Sequence, residues 1–396
     1  MKRIAILGST GSIGRQCLNV VEALPERLRV VALAAGRNTE ELAGQVERHR
    51  PALVSVADAG RADELAKGLR VRQIEPLPEI HWGREGMLAV GTHPEADMVV
   101  SAAVGVVGLE ATYAAIEKRK HVALSNKEVL VAAGELVMAA AERAGIELLP
   151  VDSEHNAVHQ CLRGGERGEV KRLVLTASGG PFRKTPLKDL ASVTPEQALA
   201  HPNWRMGQRI TVDSATLVNK GFEVIEARWL FAMKPEQIDV VIHPQSTIHS
   251  MVEFVDGSVL AQLGATDMRL PIQYALTYPE RVASKQCELD WRKLRRLDFE
   301  KVSTRRFPCL KLAREALRKG GALPCAFNAA DEVAVAAFLE RRLPFNGIAE
   351  VIERVLGRTP RMTFTSIADV LAADGEARRM AREEIERQAG AVAAGN

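Results

Sequence analysis

Arg3-Ile-Ala-Ile-Leu7 followed by Gly8-Ser-Thr-Gly11-Ser-Ile-Gly14 decides the fold of this 396-residue chain. The first five residues read as a short β-run. The glycines form a G-x-x-G-x-x-G turn, and a helical period through Val20, Val21 and Leu24 follows. A strand, a glycine turn and a helix make the context in which such glycines mean dinucleotide binding. The turn must be tight, and a pyrophosphate must approach without a Cβ in the way. The helix N-terminus then offers free N–H groups and the positive end of its dipole.

Working outward, Arg29–Ala35 is a second apolar run, and Gly36-Arg37-Asn38 closes it. NAD enzymes place an acid near this point for the ribose hydroxyl. Here Arg37 stands instead, and a guanidinium suits the 2′-phosphate of NADP. Apolar runs at 52–56, 98–101, 122–124 and 146–151 alternate with helical stretches at 108–118 and 127–143. That alternation predicts a mostly parallel sheet covered by helices. Ligands of such sheets lie beyond the carboxyl ends of the strands. Ser125-Asn126-Lys127-Glu128 falls at one such end. An Asn there suits a nicotinamide or ribose, and a Lys suits an anion or enolate.

Composition sets bounds. The chain is 46% hydrophobic and 26% charged, ordinary for a globular protein, and long enough for two or three domains. Aromatics at 4% and a net charge of +3 argue against nucleic-acid binding but permit a local anion site. No apolar run is long enough to span a bilayer, and no signal-peptide pattern precedes the first strand, so a cytoplasmic protein is expected. Five scattered cysteines without a C-x-x-C pair read as reduced thiols.

The chemistry is expected after residue 150. Leu149-Pro-Val-Asp152-Ser-Glu154-His-Asn156 places two carboxylates two positions apart. On an extended chain both point to one side, and oxygen pairs of this kind suit Mg²⁺. A strand at 170–175 leads to Thr176-Ala-Ser178-Gly-Gly-Pro181, whose hydroxyl and N–H donors suit a phosphate. His201-Pro-Asn-Trp-Arg-Met-Gly207, bounded by Pro and Gly, reads as an irregular, water-excluding lid spanning about residues 198–208. On a helix Asn219, Lys220 and Glu223 share a face. Ser214, Asn219 and Lys220 suit a phosphate, and Glu223 offers a third carboxylate beside Asp152 and Glu154. His155 and His159 stand four apart, but without H-E-x-x-H they are expected to cap and pack, not to bind zinc.

The predicted architecture is therefore α/β. An N-terminal Rossmann-like NADP-binding domain covers 1–150 and a catalytic α/β domain 151–277. A charged, irregular linker follows at 278–304. A C-terminal helical bundle occupies 305–396, with stops at Gly320-Gly321, Pro344 and Gly357–Pro360 and a frayed tail from Gly390.

Eight motifs in one order resemble the 1-deoxy-D-xylulose 5-phosphate reductoisomerase family. They are 8–14, 125–128, 151–156, 178–181, 201–207, 212–216, 219–223 and His243-Pro-Gln-Ser-Thr-Ile-His-Ser-Met251. The resemblance extends over essentially the whole chain, through Phe307–Leu312 and Ala326–Glu332. It implies NADPH contacts at Thr10, Gly11, Ser12, Ile13, Gly36, Arg37, Asn38, Asn126, Glu128 and Gly207. It implies Mg²⁺ or Mn²⁺ on Asp152, Glu154 and Glu223. It implies substrate contacts at Ser153, Glu154, Ser178, His201, Ser214, Asn219, Lys220 and Glu223, with Lys127 beside the reacting carbons. The implied partner is a small phosphorylated ketose, the implied assembly a homodimer. Two departures are visible: Arg37 where Lys is frequent, and Arg205 where the lid often has Ser. Two rivals have distinct signatures. A simple NADP-dependent dehydrogenase of a phosphorylated aldehyde or hydroxy acid needs no metal, and an NADPH-binding sensor turns nothing over.

Overall fold

The computed structural model describes residues 1–204, 206–284 and 288–394, with side chains through 388. Arg205 and Cys287 therefore lie outside the described residues. The chain divides into two units, the first formed by 1–129, 137–156 and 267–288, the second by the remainder.

In the first unit, strands and helices alternate: β1 (Lys2–Leu7), α1 (Ser12–Ala23), β2 (Leu28–Ala34), α2 (Thr39–His49), β3 (Leu53–Val56), α3 (Ala59–Val71), β4 (Glu79–Trp82), α4 (Gly83–Gly91), β5 (Met98–Ser101), α5 (Leu109–Glu117), β6 (His121–Leu124), α6 (Glu128–Ala144), β7 (Leu148–Pro150) and the start of α7 (Ser153–Leu162). The sheet order is β4-β3-β2-β1-β5-β6-β7, parallel throughout. Ile4, Ala5, Ile6 and Leu7 are each 0% exposed, because helices cover both faces of a parallel sheet and an unbroken apolar run is what such a strand requires. The strand order reverses between β1 and β5, and the Gly8–Gly14 turn leaves the carboxyl end of β1 at that switch point.

The Rossmann-like expectation holds, with two corrections. The 127–143 stretch is not one regular helix: Ala133 inside α6 has φ −136° and ψ 25°. Beside it, a Cβ on Gly134 would stand 2.3 Å from the Trp229 indole, so the ring packs directly on backbone. The second correction concerns Asp152 and Glu154, which do not lie on extended chain. β7 stops at Pro150 and Glu154 is in the first turn of α7. Asp152 captures that turn, its Oδ1 accepting from the N–H of Glu154 at 3.2 Å.

The second unit holds a mixed sheet ordered β11-β10-β8-β9-β12, with β8 (Val170–Ala177), β9 (Ile238–Ile242), β10 (Ile248–Phe254), β11 (Val259–Leu263) and β12 (Glu300–Lys301). Only β8 and β9 run parallel within it. Its helices are α8 (Pro195–Leu199), α9 (Gln208–Thr216), α10 (Val218–Leu230), and, beyond α11 (Arg269–Thr277) of the first unit, α12 (Pro308–Lys319), α13 (Leu323–Leu339), α14 (Gly347–Arg358) and α15 (Ile367–Ala394). The last four are the expected helical region, and α15 continues through Ala394 where fraying was expected. α13 is buried nearly all round; Phe327 is 0% exposed and meets Phe222 of α10 edge to face at 5.5 Å. No helix among the described residues is long and apolar enough to cross a membrane. Cys17, Cys161, Cys309 and Cys325 are buried.

Inside this helical layer lies a polar cluster. Arg209 of α9 reaches Glu332 (2.8 Å), Asn328 (2.9 Å) and Asp331 (3.3 Å) of α13, and Arg378 of α15 holds Glu332 at 2.6 Å. Burial pushes the Asp331 carboxyl up to about 7, against the pull of Arg209, and neighbouring Glu332 adds to the rise. An acid whose folded value is raised binds more protons native than unfolded, so stability falls as pH climbs from about 4 to about 7. An Asn does not titrate. D331N is therefore expected to gain on the wild type by roughly 1 kcal/mol per pH unit through that window. Urea midpoints at both ends of the window check this, and a constant difference contradicts it.

Candidate active site

The glycine turn is shaped by contacts that forbid side chains. Gly8 has φ +89°, and a Cβ there would lie 2.5 Å from the Ala102 carbonyl oxygen. A Cβ on Gly14 would lie 2.3 Å from the Gly8 carbonyl oxygen. The turn folds onto itself and onto the end of β5, leaving Thr10, Gly11, Ser12 and Ile13 at the start of α1, where Gly11 is the N-cap without a side-chain cap. The N–H groups of that first turn remain for an anion. Gly36, Arg37 and Asn38 follow β2, exposed, with Asn38 Oδ1 capping α2 through the N–H of Glu41 at 3.1 Å.

Asn126 and Glu128, beyond β6, bind the 105 turn. Asn126 Nδ2 donates to the Gly105 carbonyl at 2.8 Å, and Glu128 Oε1 accepts from the Gly105 N–H at 3.2 Å. Between them, Lys127 pairs through Nζ with Asp152 Oδ2, both side chains about one-tenth exposed. Ser153 Oγ donates to Glu154 Oε2 at 2.6 Å. The β7–α7 turn thus presents two anions and one hydroxyl, and the neighbouring β6–α6 turn supplies one cation.

The second unit carries its own group. Leu217, at φ 60°, turns the chain from α9 into α10. Glu223, 0% exposed, accepts from Asn219 Nδ2 at 2.7 Å and pairs with Lys220 Nζ, as the shared helix face predicted. Ser214, on α9, is 9% exposed. Ser178 Oγ meets His201 Nε2 at 2.9 Å and accepts from the N–H of Gly180 at 3.2 Å. His201 Nδ1 accepts from the N–H groups of Asn203 (3.2 Å) and Trp204 (3.0 Å). Its proton therefore sits on Nε2 and the ring is neutral, consistent with burial lowering its pKa. The 201–204 segment, read from sequence as part of a lid, is held by Pro244 and His249, residues to which the sequence gave no individual role: Asn203 Nδ2 donates to the Pro244 carbonyl at 2.6 Å, and Trp204 packs on His249 at 6.2 Å. The His243–Met251 motif was the available signal. Gly207 is the N-cap of α9.

A seven-stranded parallel sheet with a phosphate-type glycine turn at its switch point defines the class, a dinucleotide-binding α/β protein. Beyond the class, three family models match: 1-deoxy-D-xylulose 5-phosphate reductoisomerase over residues 4–134, its C-terminal domain over 148–231, and the DXP reductoisomerase C-terminal domain over 263–380. A reductoisomerase of Symbiobacterium thermophilum is 55% identical over 383 residues, covering 97% of this chain and 98% of its own. That of Solibacter usitatus is 53% identical over the full length of both. Among solved structures, the Zymomonas mobilis reductoisomerase in complex with NADPH superposes with a TM-score of 0.91 at 44% identity, covering 97% of this chain and 99% of its own. A reductoisomerase holding NADPH, fosmidomycin and magnesium gives 0.91 at 37%, covering 98% of each. The chain belongs to the 1-deoxy-D-xylulose 5-phosphate reductoisomerase family.

Proposed function

We propose that this chain converts 1-deoxy-D-xylulose 5-phosphate to 2-C-methyl-D-erythritol 4-phosphate, using NADPH and a divalent cation, Mg²⁺ or Mn²⁺. The observation that carries the reading is the family match along the whole length, together with relatives more than half identical. The donor chemistry agrees. Asp152, Glu154 and Glu223 are hard oxygen donors, and Mg²⁺ favours a few carboxylates with retained waters. Lys127 and Lys220 beside Asp152 and Glu223 provide positive charge next to those oxygens.

In this reading Thr10, Gly11, Ser12 and Ile13 receive the pyrophosphate of NADPH on the α1 N-terminus. Arg37, with Gly36 and Asn38, takes its 2′-phosphate. Asn126, Glu128 and Gly207 border the nicotinamide side. Ser178, Ser214, Asn219 and Lys220 hold the substrate phosphate through hydroxyl, amide and ammonium donors. His201, neutral with its proton on Nε2, donates on the same side. Ser153 and Lys127 stand by the reacting carbons, where the ammonium holds or yields a proton. The bound cation supplies Lewis acidity to the ketose oxygens, and NADPH supplies the hydride. In domain terms, 1–150 takes the cofactor, 151–277 the substrate and cation, and 305–396 supports them across the 278–304 linker. The protein is assigned to the cytoplasm, and its partner is a second copy of itself: edge strand β11 exposes Val259 (51%) and Leu260 (40%).

NADPH oxidation followed with the ketose phosphate, with and without chelator, is the test. The expected result is turnover only when ketose phosphate, NADPH and divalent metal are all present, with the branched alcohol phosphate identified by NMR. Turnover indifferent to chelation overturns the reading in favour of a plain dehydrogenase. Cofactor binding with no turnover of the ketose phosphate overturns it in favour of a sensor.

A further inference from the structure

We propose that Arg209 is a positioning residue for this reaction, through which the C-terminal helices fix the end of the 201–207 lid and the seat of Ser214. The inference rests on the reading above, in which lid and Ser214 serve the substrate.

Arg209 is the second residue of α9, two positions after Gly207. Its guanidinium spreads over α13, to Glu332 Oε1 at 2.8 Å, Asn328 Oδ1 at 2.9 Å and Asp331 Oδ2 at 3.3 Å. Its Nε lies 3.7 Å from Asp213, one turn along its own helix, and its central carbon stands 5.7 Å from the Phe222 ring centroid on α10. Glu332 is held in turn by Arg378 of α15, which Asp374 fixes at 2.5 Å. The Cys309 thiol of α12 feels the charge of both Asp331 and Asp213. One planar fork therefore registers the first turn of α9 against α13 and, through Arg378, against α15.

Such a cluster is a poor way to gain stability, since buried ion pairs roughly break even against apolar packing. A fork that accepts only one geometry is a good way to set a position. The near end of the lid is tied by His201 to Ser178, by Asn203 to Pro244 and by Trp204 to His249. Arg209 ties the far end. Without it, α9 can shift along α13, and Gly207 and Ser214 shift with it.

The test compares R209M, R209K and E332Q with the wild type, varying ketose phosphate and NADPH separately and recording thermal melts. R209M is expected to raise KM for the ketose phosphate about tenfold with kcat within about threefold, a ground-state positioning loss. R209K recovers part, because an ammonium satisfies one acceptor and not the fork. E332Q keeps the fold if R209M does not, and raises KM in the same direction by about threefold. If the folded variants melt lower but keep the wild-type KM, Arg209 only stabilises and the proposal falls. A wild type inactive on the ketose phosphate would instead sink the functional reading, so the two failures are distinct.

Discussion

E154Q is expected to bind NADPH as the wild type does and to lose about a thousandfold in kcat/KM at ordinary Mg²⁺ concentration. Glu154 sits in the first turn of α7, its N–H on Asp152 and its Oε2 accepting from Ser153 at 2.6 Å. Gln preserves the length and the contact with Ser153 but replaces an anionic donor by a neutral one. A hard cation bound by few carboxylates depends on each. Losing about 4 kcal/mol of charge stabilisation in the transition state corresponds to that thousandfold. Raising the metal concentration should restore part of the rate, because the deficit lies in holding the cation. Kinetics across a range of Mn²⁺ concentrations check the result. An E154Q enzyme within about threefold of wild type would exclude the carboxylate from the site.

G14A is expected to weaken NADPH binding by about a hundredfold, roughly 3 kcal/mol. The new methyl would stand 2.3 Å from the Gly8 carbonyl oxygen and 2.5 Å from Ser9 Cα, both backbone atoms that cannot swing aside. The turn must open, and opening it re-aims the N–H groups at the start of α1, the seat proposed above for the pyrophosphate. G44A is the control. A Cβ there meets nothing within 4 Å, and Ala in the middle of α2 favours the helix. Fluorescence titration of NADPH against both variants reads the effect. Equal affinities for the two would show that the turn does not form the cofactor's seat.

The parallel sheet was legible because its strands are buried on both faces and so appear as unbroken apolar runs. Ile4–Leu7 and 98–101 are the clearest cases. β4 escaped notice because Glu79–Trp82 lies at the edge of the sheet, and no residue in it is fully buried. The turn at 152–154 was misread because an apolar run gives the direction of a strand and not its last residue. The Asp-Ser-Glu order after it is itself a helix-start signal, which Asp152 fulfils by capping α7. The helix face carrying Asn219, Lys220 and Glu223 was legible from i, i+3 and i, i+4 spacing alone, and the structure joins both partners to Glu223. Of the Arg209 cluster, the reach of 328–332 toward the catalytic residues was legible, but the choice of Arg209 was not. Its partners Asn328 and Glu332 lie 119 and 123 positions away, and no local period connects them. The break at Ala133 was equally hidden, since Ala is the strongest helix former and the Trp229 ring that packs on neighbouring Gly134 is distant in sequence.

We propose that Asp152, Glu154 and Glu223 serve one cation. Titration with Mn²⁺, followed by electron paramagnetic resonance on the wild type and on D152N, E154Q and E223Q, tests it most directly. The expected result is one ion per wild-type chain and an affinity loss of about tenfold or more in each variant. Wild-type Mn²⁺ binding by E223Q would contradict it.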